Sequence, residues 1–182
     1  MEHLWTGKGD DGTTGLYFGG RVAKDTEVPE ALGSVDEAQA ALGVARAEAA
    51  AGSPLHQVLT EVCGQLYVVM AELATAPANH AKLVDGRSRV TPAMVELVEG
   101  HADAAAERFP PLTDFVVPGQ DRLAALLDVA RTLVRRAERR AVPVAAPGSA
   151  VLAYLNRLSS LLWALARAEE AAAAGPVLAR DL

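Results

Sequence analysis

One cysteine, Cys63, is all that the 182 residues contain, so no disulfide can form within the chain. That usage fits a reducing compartment, and Cys63, set among apolar residues, reads as a small buried hydrophobe. Aromatic residues are also scarce, at 4%. Alanine and leucine dominate the 51% hydrophobic fraction, which favours helix packing over sheet. Positive charge is not in excess. A formal net charge of −6 argues against nucleic acid as a partner. An anionic ligand would have to meet a local cationic cluster, not a basic surface. No apolar run is long enough to span a bilayer, and no leader pattern is seen. His3, His56, His80 and His101 show no metal-ligand spacing and read as surface or loop residues. There is no internal repeat. These absences lead us to expect a soluble, cytoplasmic, single-domain protein over residues 1–182, with neither nucleic acid nor membrane as a partner.

The richest segment lies at the start, where Gly7-Lys8-Gly9-Asp10-Asp11-Gly12-Thr13-Thr14 is followed by Gly19-Gly20-Arg21 and Lys24. Glycines let backbone N–H groups approach a ligand closely. Hydroxyl and cationic side chains add donors, and this is how a loop cradles phosphates. The pattern is not the Walker A loop, because the glycine spacing ahead of Lys8 is wrong and no strand precedes it. Two readings stand: a nucleotide triphosphate site, or a turn-rich terminus.

Residues 1–29 read as loop, with a short strand at Leu16–Phe18 and Pro29 placed to start a helix. Helical spacing of apolar residues then predicts helices from about Glu30 to Ala51, Pro54 to Ala76, Pro92 to Arg108, Asp121 to Ala141 and Ala150 to Ala174. Ser53 and Thr91-Pro92 are start signals. Residues 77–90 read as a polar loop, Phe115–Gly119 (FVVPG) as an extended connector, and the tail after Gly175-Pro176 as mobile. The expected fold is all-α, a five-helix bundle.

The fourth helix carries an apolar stripe and a second face with Arg131, Arg135 and Glu138, while Arg136, Arg139 and Arg140 crowd its end. A solvated basic face near a helix C-terminus is one explanation. Guanidinium forks that grip phosphate oxygens bidentately are the other. On the fifth helix Asn156, Ser160, Trp163 and Arg167 share a face by spacing. Asp36 on the first helix lies among apolar positions. If half-buried it needs a partner, for which an arginine of the fourth helix is the natural candidate.

Five segments occur in one order: TGKGDDGTTGL with GGRVAKD (Thr6–Asp25), GSVDEAQAALG (Gly33–Gly43), FVVPG (Phe115–Gly119), ARTLVRRAER (Ala130–Arg139) and YLNRLSSLLW (Tyr154–Trp163). Together they resemble the PduO-type ATP:cob(I)alamin adenosyltransferases, over about Trp5 to Glu169. The resemblance implies a five-helix bundle assembled as a homotrimer, with active sites between subunits. It implies that cobalt(I) of the corrinoid attacks C5′ of ATP, with Mg²⁺ on the phosphates, and expels triphosphate. By position it makes Thr6, Lys8, Gly9, Asp10, Gly12, Thr13 and Thr14 part of a phosphate loop over residues 5–25. Arg21 and Lys24 would add cationic contacts, and Arg135 would meet the phosphates and the developing charge. Glu138 and Asn156 would fix the nucleotide, and Asp36 and Arg131 would pair at the subunit boundary. Phe115 would pack below the corrin ring and displace its lower ligand. A reductase or a cobalamin-dependent enzyme is implied as a partner.

The chain departs from the family pattern at Gly7-Lys8, Thr26, Gln39, Gln120 and Ser160, the last of which removes a carboxylate. Two alternatives therefore stand beside the transferase reading. One is a family-like trimer running another ATP-dependent reaction. The other is a non-catalytic module that binds ATP or a corrinoid.

Overall fold

The computed structural model describes residues 5–181; His3 lies outside them. A hairpin comes first, β1 (Thr13–Gly15) against β2 (Arg21–Ala23), antiparallel with Thr14 opposite Val22. Five long helices follow: α1 (Glu27–Glu48), α2 (Pro54–Leu73), α3 (Pro92–Ala106), α4 (Arg122–Ala141) and α5 (Val151–Ala172). β3 (Val116–Val117) precedes α4 and pairs with β4 (Val177–Leu178) beyond α5.

Three helix starts carry side-chain caps, because the first backbone N–H groups of a helix lack partners within it. Ser53 accepts from the His56 N–H at 3.2 Å, Thr91 from Met94 at 3.3 Å and Asp121 from Ala124 at 2.9 Å. Pro54 and Pro92 occupy first helical positions, where the missing N–H costs nothing.

α1 packs on α2 and α4, α4 on α5, and α5 on α3, and a slighter α2–α3 contact closes the ring. Small residues bring α1 and α4 together: Ala31, Ala38 and Ala45 on one, and Ala124, Ala130, Ala137 and Ala141 on the other, are all fully buried. α5 is enclosed on most of its circumference, with Leu155, Leu158, Leu161, Leu162 and Tyr154 without exposure. Its remaining stripe, Ala153, Arg157, Ser160 and Trp163, is exposed, so α5 takes its place in the ring with one open face.

The structure corrects several expectations. Leu16–Phe18 is not a strand but the turn of the β1–β2 hairpin, with Phe18 at φ 62° and Gly19 and Gly20 also at positive φ. The Tyr17 N–H donates to the Ala74 carbonyl at 3.0 Å and pins that turn to the end of α2. α1 begins at Glu27, so Pro29 lies inside its first turn, where no backbone bond is lost. Residues Pro77–Lys82 form a 3-10 turn within the expected loop. The tail is not free: it supplies β4, and the Ala179 N–H donates to the Phe115 carbonyl at 2.8 Å. His101 lies within α3 and contacts Glu61 of α2 at 3.0 Å.

Candidate functional site

The N-terminal loop is closed by its own cations. Arg21 donates from Nε to the Thr13 hydroxyl at 2.9 Å and from Nη2 to the Lys8 carbonyl, and it lies 3.4 Å from Asp11. Asp11 accepts from the Thr13 N–H at 2.9 Å and from its hydroxyl at 2.8 Å. These two bonds, and Arg21 beside them, hold the Asp11 carboxyl below its ordinary pKa. Lys24 Nζ donates to the Gly9 carbonyl at 2.8 Å. A Cβ on Gly9 would stand 3.0 Å from that nitrogen, so a side chain there would make the end of Lys24 shift. Gly7 and Gly12 adopt positive φ, 67° and 78°. The Thr6 hydroxyl accepts from the Lys8 N–H at 3.4 Å. Asp10 turns the chain through its N–H to the Gly7 carbonyl, and Thr14 sits in the hairpin ladder. The loop is therefore a shaped element held by its own hydrogen bonds.

The second group lies on α4 and α5. Asn156 Nδ2 donates to Glu138 Oε1 at 2.9 Å, and Glu138 Oε2 is 3.6 Å from Arg135 Nη1. Arg157 braces Asn156 by donating to its Oδ1 at 2.8 Å. Arg131 and Arg135 line a concavity of about 310 Å³ with Ser159, Ser160 and Trp163. Two further arginines of α4 turn to α1: Arg136 pairs with Glu37, and Arg140 with Glu30 at 3.2 Å. Within the run, Arg136 and Arg140 thus bind α1, Arg135 faces the concavity, and Arg139 is exposed.

Asp36 is exposed, not half-buried, and has no hydrogen-bond or ion-pair partner among the described residues. It borders a depression with Tyr17, Leu32, Tyr67 and Met70. Within the chain Arg131 does not reach it, and donates instead from Nε to Asp128 at 3.0 Å. Phe115 is 85% exposed, on a segment held by the Asp114 carboxylate and the tail. Among the described residues no hydrogen bond or ion pair joins Thr6–Lys24 to Arg131, Arg135, Glu138 or Asn156. Among the described residues the loop and the α4–α5 group are therefore not bonded to each other. Among the described residues no group of three or more His, Cys, Asp or Glu side chains could hold a metal ion.

The sequence reading missed the interior beneath the concavity. Arg167 lies beside Trp163, as the spacing implies, with its Cζ 5.9 Å from the ring centroid, but it is 2% exposed and bonds Asp128 and Glu170. The signal was there, since Asp128/Arg131 and Arg167/Glu170 are opposite charges three residues apart, with Asp128 and Arg167 each flanked by apolar residues.

A ring of five helices with a glycine-rich loop at its N-terminal end is the fold of the PduO-type corrinoid adenosyltransferases. A Lactobacillus reuteri enzyme of that type, a phenylalanine-to-histidine variant complexed with cobalamin and ATP, superposes with a TM-score of 0.86 at 27% identity, covering 98% of this chain and 97% of that one. The family model for cobalamin adenosyltransferase matches residues 4–169, and the chain belongs to that family. The corrinoid adenosyltransferase of Mycobacterium tuberculosis is 40% identical over 172 residues, 92% of this chain and 88% of that protein. The corrinoid adenosyltransferase PduO of Citrobacter freundii is 40% identical over 174 residues, 92% of this chain, and the chain spans 50% of that protein's length.

Proposed function

We propose that this protein transfers the 5′-deoxyadenosyl group of ATP to cob(I)alamin, forming adenosylcobalamin and triphosphate. The cobalt(I) lone pair forms the bond to C5′ while the C5′–O5′ bond breaks, and the oxygen leaves with the electron pair as triphosphate. The observation that carries this reading is the joint presence of two anion-ready half-sites, the loop closed by Arg21 and Lys24 and the Arg135–Glu138–Asn156 strip. They occur on a fold whose relative is complexed with both cobalamin and ATP.

The loop amides and hydroxyls of Gly9, Gly12, Thr13 and Thr14, with Lys8, hold the phosphates, and Thr6 and Asp10 shape their turn. Arg135 stabilises charge on the departing triphosphate. Glu138 and Asn156 orient the nucleoside so that C5′ faces the metal. Phe115 offers an apolar surface to the corrin face, in place of a lower ligand. Mg²⁺ would come with ATP. Among the described residues no group of three or more His, Cys, Asp or Glu side chains gathers to cage a metal, so such an ion would be held by phosphates and water and would neutralise phosphate charge.

The two half-sites meet between copies of the chain, in a homotrimer. Asp36 of one copy pairs with Arg131 of the next, whose Nη groups carry no partner among the described residues. In the cell the cob(I)alamin would come from a reductase, and the product would pass to a cobalamin-dependent enzyme. Cytoplasmic residence fits both; among the described residues no helix is long and apolar enough to cross a membrane.

The test is anaerobic mixing with chemically reduced cobalamin and MgATP, following the cobalt(I) band and triphosphate together. Loss of the band with stoichiometric triphosphate supports the reading. An unchanged band with MgATP bound would leave a nucleotide-binding module. Arg135→Ala should lower kcat about 10²–10³-fold with helicity intact, as expected for a donor to developing charge. Asp36→Arg should break the trimer, and Arg131→Asp in the same chain should restore it.

A further inference from the structure

Beneath the Arg131–Trp163 wall of the concavity runs a chain of charge that the proposed chemistry does not use. Arg131 Nε donates to Asp128 Oδ1 at 3.0 Å, and Arg167 Nη2 donates to Asp128 Oδ2 at 2.6 Å. Arg167 Nη2 also donates to Glu170 Oε1 at 3.1 Å. Arg167 Nε lies 2.9 Å from Glu170 Oε2, but neither atom gains a hydrogen bond of proper direction there, so Asp128 is the firmer partner. Exposure falls along the chain, from 5% at Asp128 to 2% at Arg167 and 0% at Glu170. Two cations and two anions balance.

The same guanidinium reaches the second wall. Arg167 Cζ stands 5.9 Å from the Trp163 ring centroid, and Trp163 meets Phe109 edge-on at 5.7 Å. Arg167 thus touches Trp163 directly and Arg131 through one carboxylate, and both line the concavity. A buried ionic network is a poor way to stabilise a bundle, because apolar side chains of similar volume often do as well or better. It is a good way to fix the direction of a guanidinium. With Nε committed to Asp128, the plane of Arg131 is set, which leaves one Nη group to meet Asp36 of the next copy and the other to face the concavity.

We propose that Asp128 and Arg167 are positioning residues that hold Arg131 and Trp163 in the geometry the nucleotide half-site requires. This rests on the reading of the concavity as part of that half-site. Asp128 acts through Arg131; Arg167 acts through Asp128 and by direct contact with Trp163. Neither touches substrate.

The test is a double-mutant cycle on Asp128→Asn and Arg131→Ala, read as KM and kcat for MgATP with cob(I)alamin and as the Kd for MgATP alone by calorimetry. Asp128→Asn should raise KM and Kd roughly tenfold in the otherwise unaltered protein and have no further effect when Arg131 is already alanine. Losses that multiply, or a lowered melting temperature with KM and Kd unmoved, would overturn the positioning role. If Arg131→Ala changes neither constant, the reading of the half-site itself fails, and the proposal with it. Should Asp128→Asn not fold, Arg167→Met with Glu170→Leu removes the two deepest charges together and takes its place in the cycle. Its supporting result is again a rise in KM and Kd that vanishes once Arg131 is alanine.

Discussion

Asn156 of α5 donates its side-chain amide to Glu138 of α4 across 2.9 Å, so one hydrogen bond ties the two helices that carry the arginine-lined concavity. The amide suits this position because it can give a proton to Glu138 while its oxygen accepts from Arg157.

Asn156→Asp would replace that donor with a second carboxylate. Like charges at this spacing raise the pKa of one member of the pair, and a shared proton then rebuilds the bond. MgATP binding by the variant should be weak at about pH 8 and stronger at about pH 5.5, because acid favours the shared proton. Calorimetric titration at the two pH values, against the unaltered protein, checks it. A variant that binds equally at both would mean that the Glu138 bond does not govern the site.

Phe115 has almost nothing to lose in the fold. Phe115→Ala should leave stability within about 0.5 kcal/mol, as for surface positions generally. Turnover of cob(I)alamin should nevertheless fall, with MgATP affinity unchanged. Thermal melting beside a KM-against-kcat comparison separates the two effects, and retained turnover would remove Phe115 from the corrin side.

Glu72 is a structural counterpart, only 7% exposed. It accepts from the Val90 N–H at 2.6 Å and from the Ser149 hydroxyl at 2.5 Å, joining α2 to the segments before α3 and α5. Glu72→Ala strands a buried N–H and should cost about 1–3 kcal/mol. For a chain of this size each kcal/mol corresponds to about 2–4 °C in melting temperature. An unshifted melting curve would contradict the role.

Burial pushes the Cys63 thiol above its ordinary pKa, against a smaller opposing effect from Arg46. Only the thiolate attacks alkylating reagents, and a raised pKa lowers its fraction at any pH below that value. Folded protein should therefore react with iodoacetamide at pH 8 far more slowly than protein unfolded in urea. Equal rates would show that the thiol is not shielded.

Much of the architecture was legible along the chain. Ser53, Thr91 and the paired prolines mark helix starts because capping is a local contest for a few orphan N–H groups. The apolar stripe of α4 has the helical period and needs no partner to be recognised. The phosphate-type loop was readable as chemistry but not as shape. Arg21 and Lys24 were expected to point at a ligand, whereas they also close the loop on its own carbonyls. The tail was misread because Val177–Leu178 has no local signal, and its strand exists only by pairing with Val116–Val117.

The sequence by itself determined the helical bundle, the placing of its caps and the order of the family motifs, since each depends on residues within a turn or two of one another. The tertiary structure alone decided which arginine meets which acid. Arg136 and Arg140 turn to α1, Arg131 and Arg167 converge on Asp128, and Asp36 is left exposed with no partner among the described residues. Opposite charges attract without a sequence period, and side chains as long as arginine can reach several neighbours. The pairing is therefore set by which helix faces close packing has already brought together.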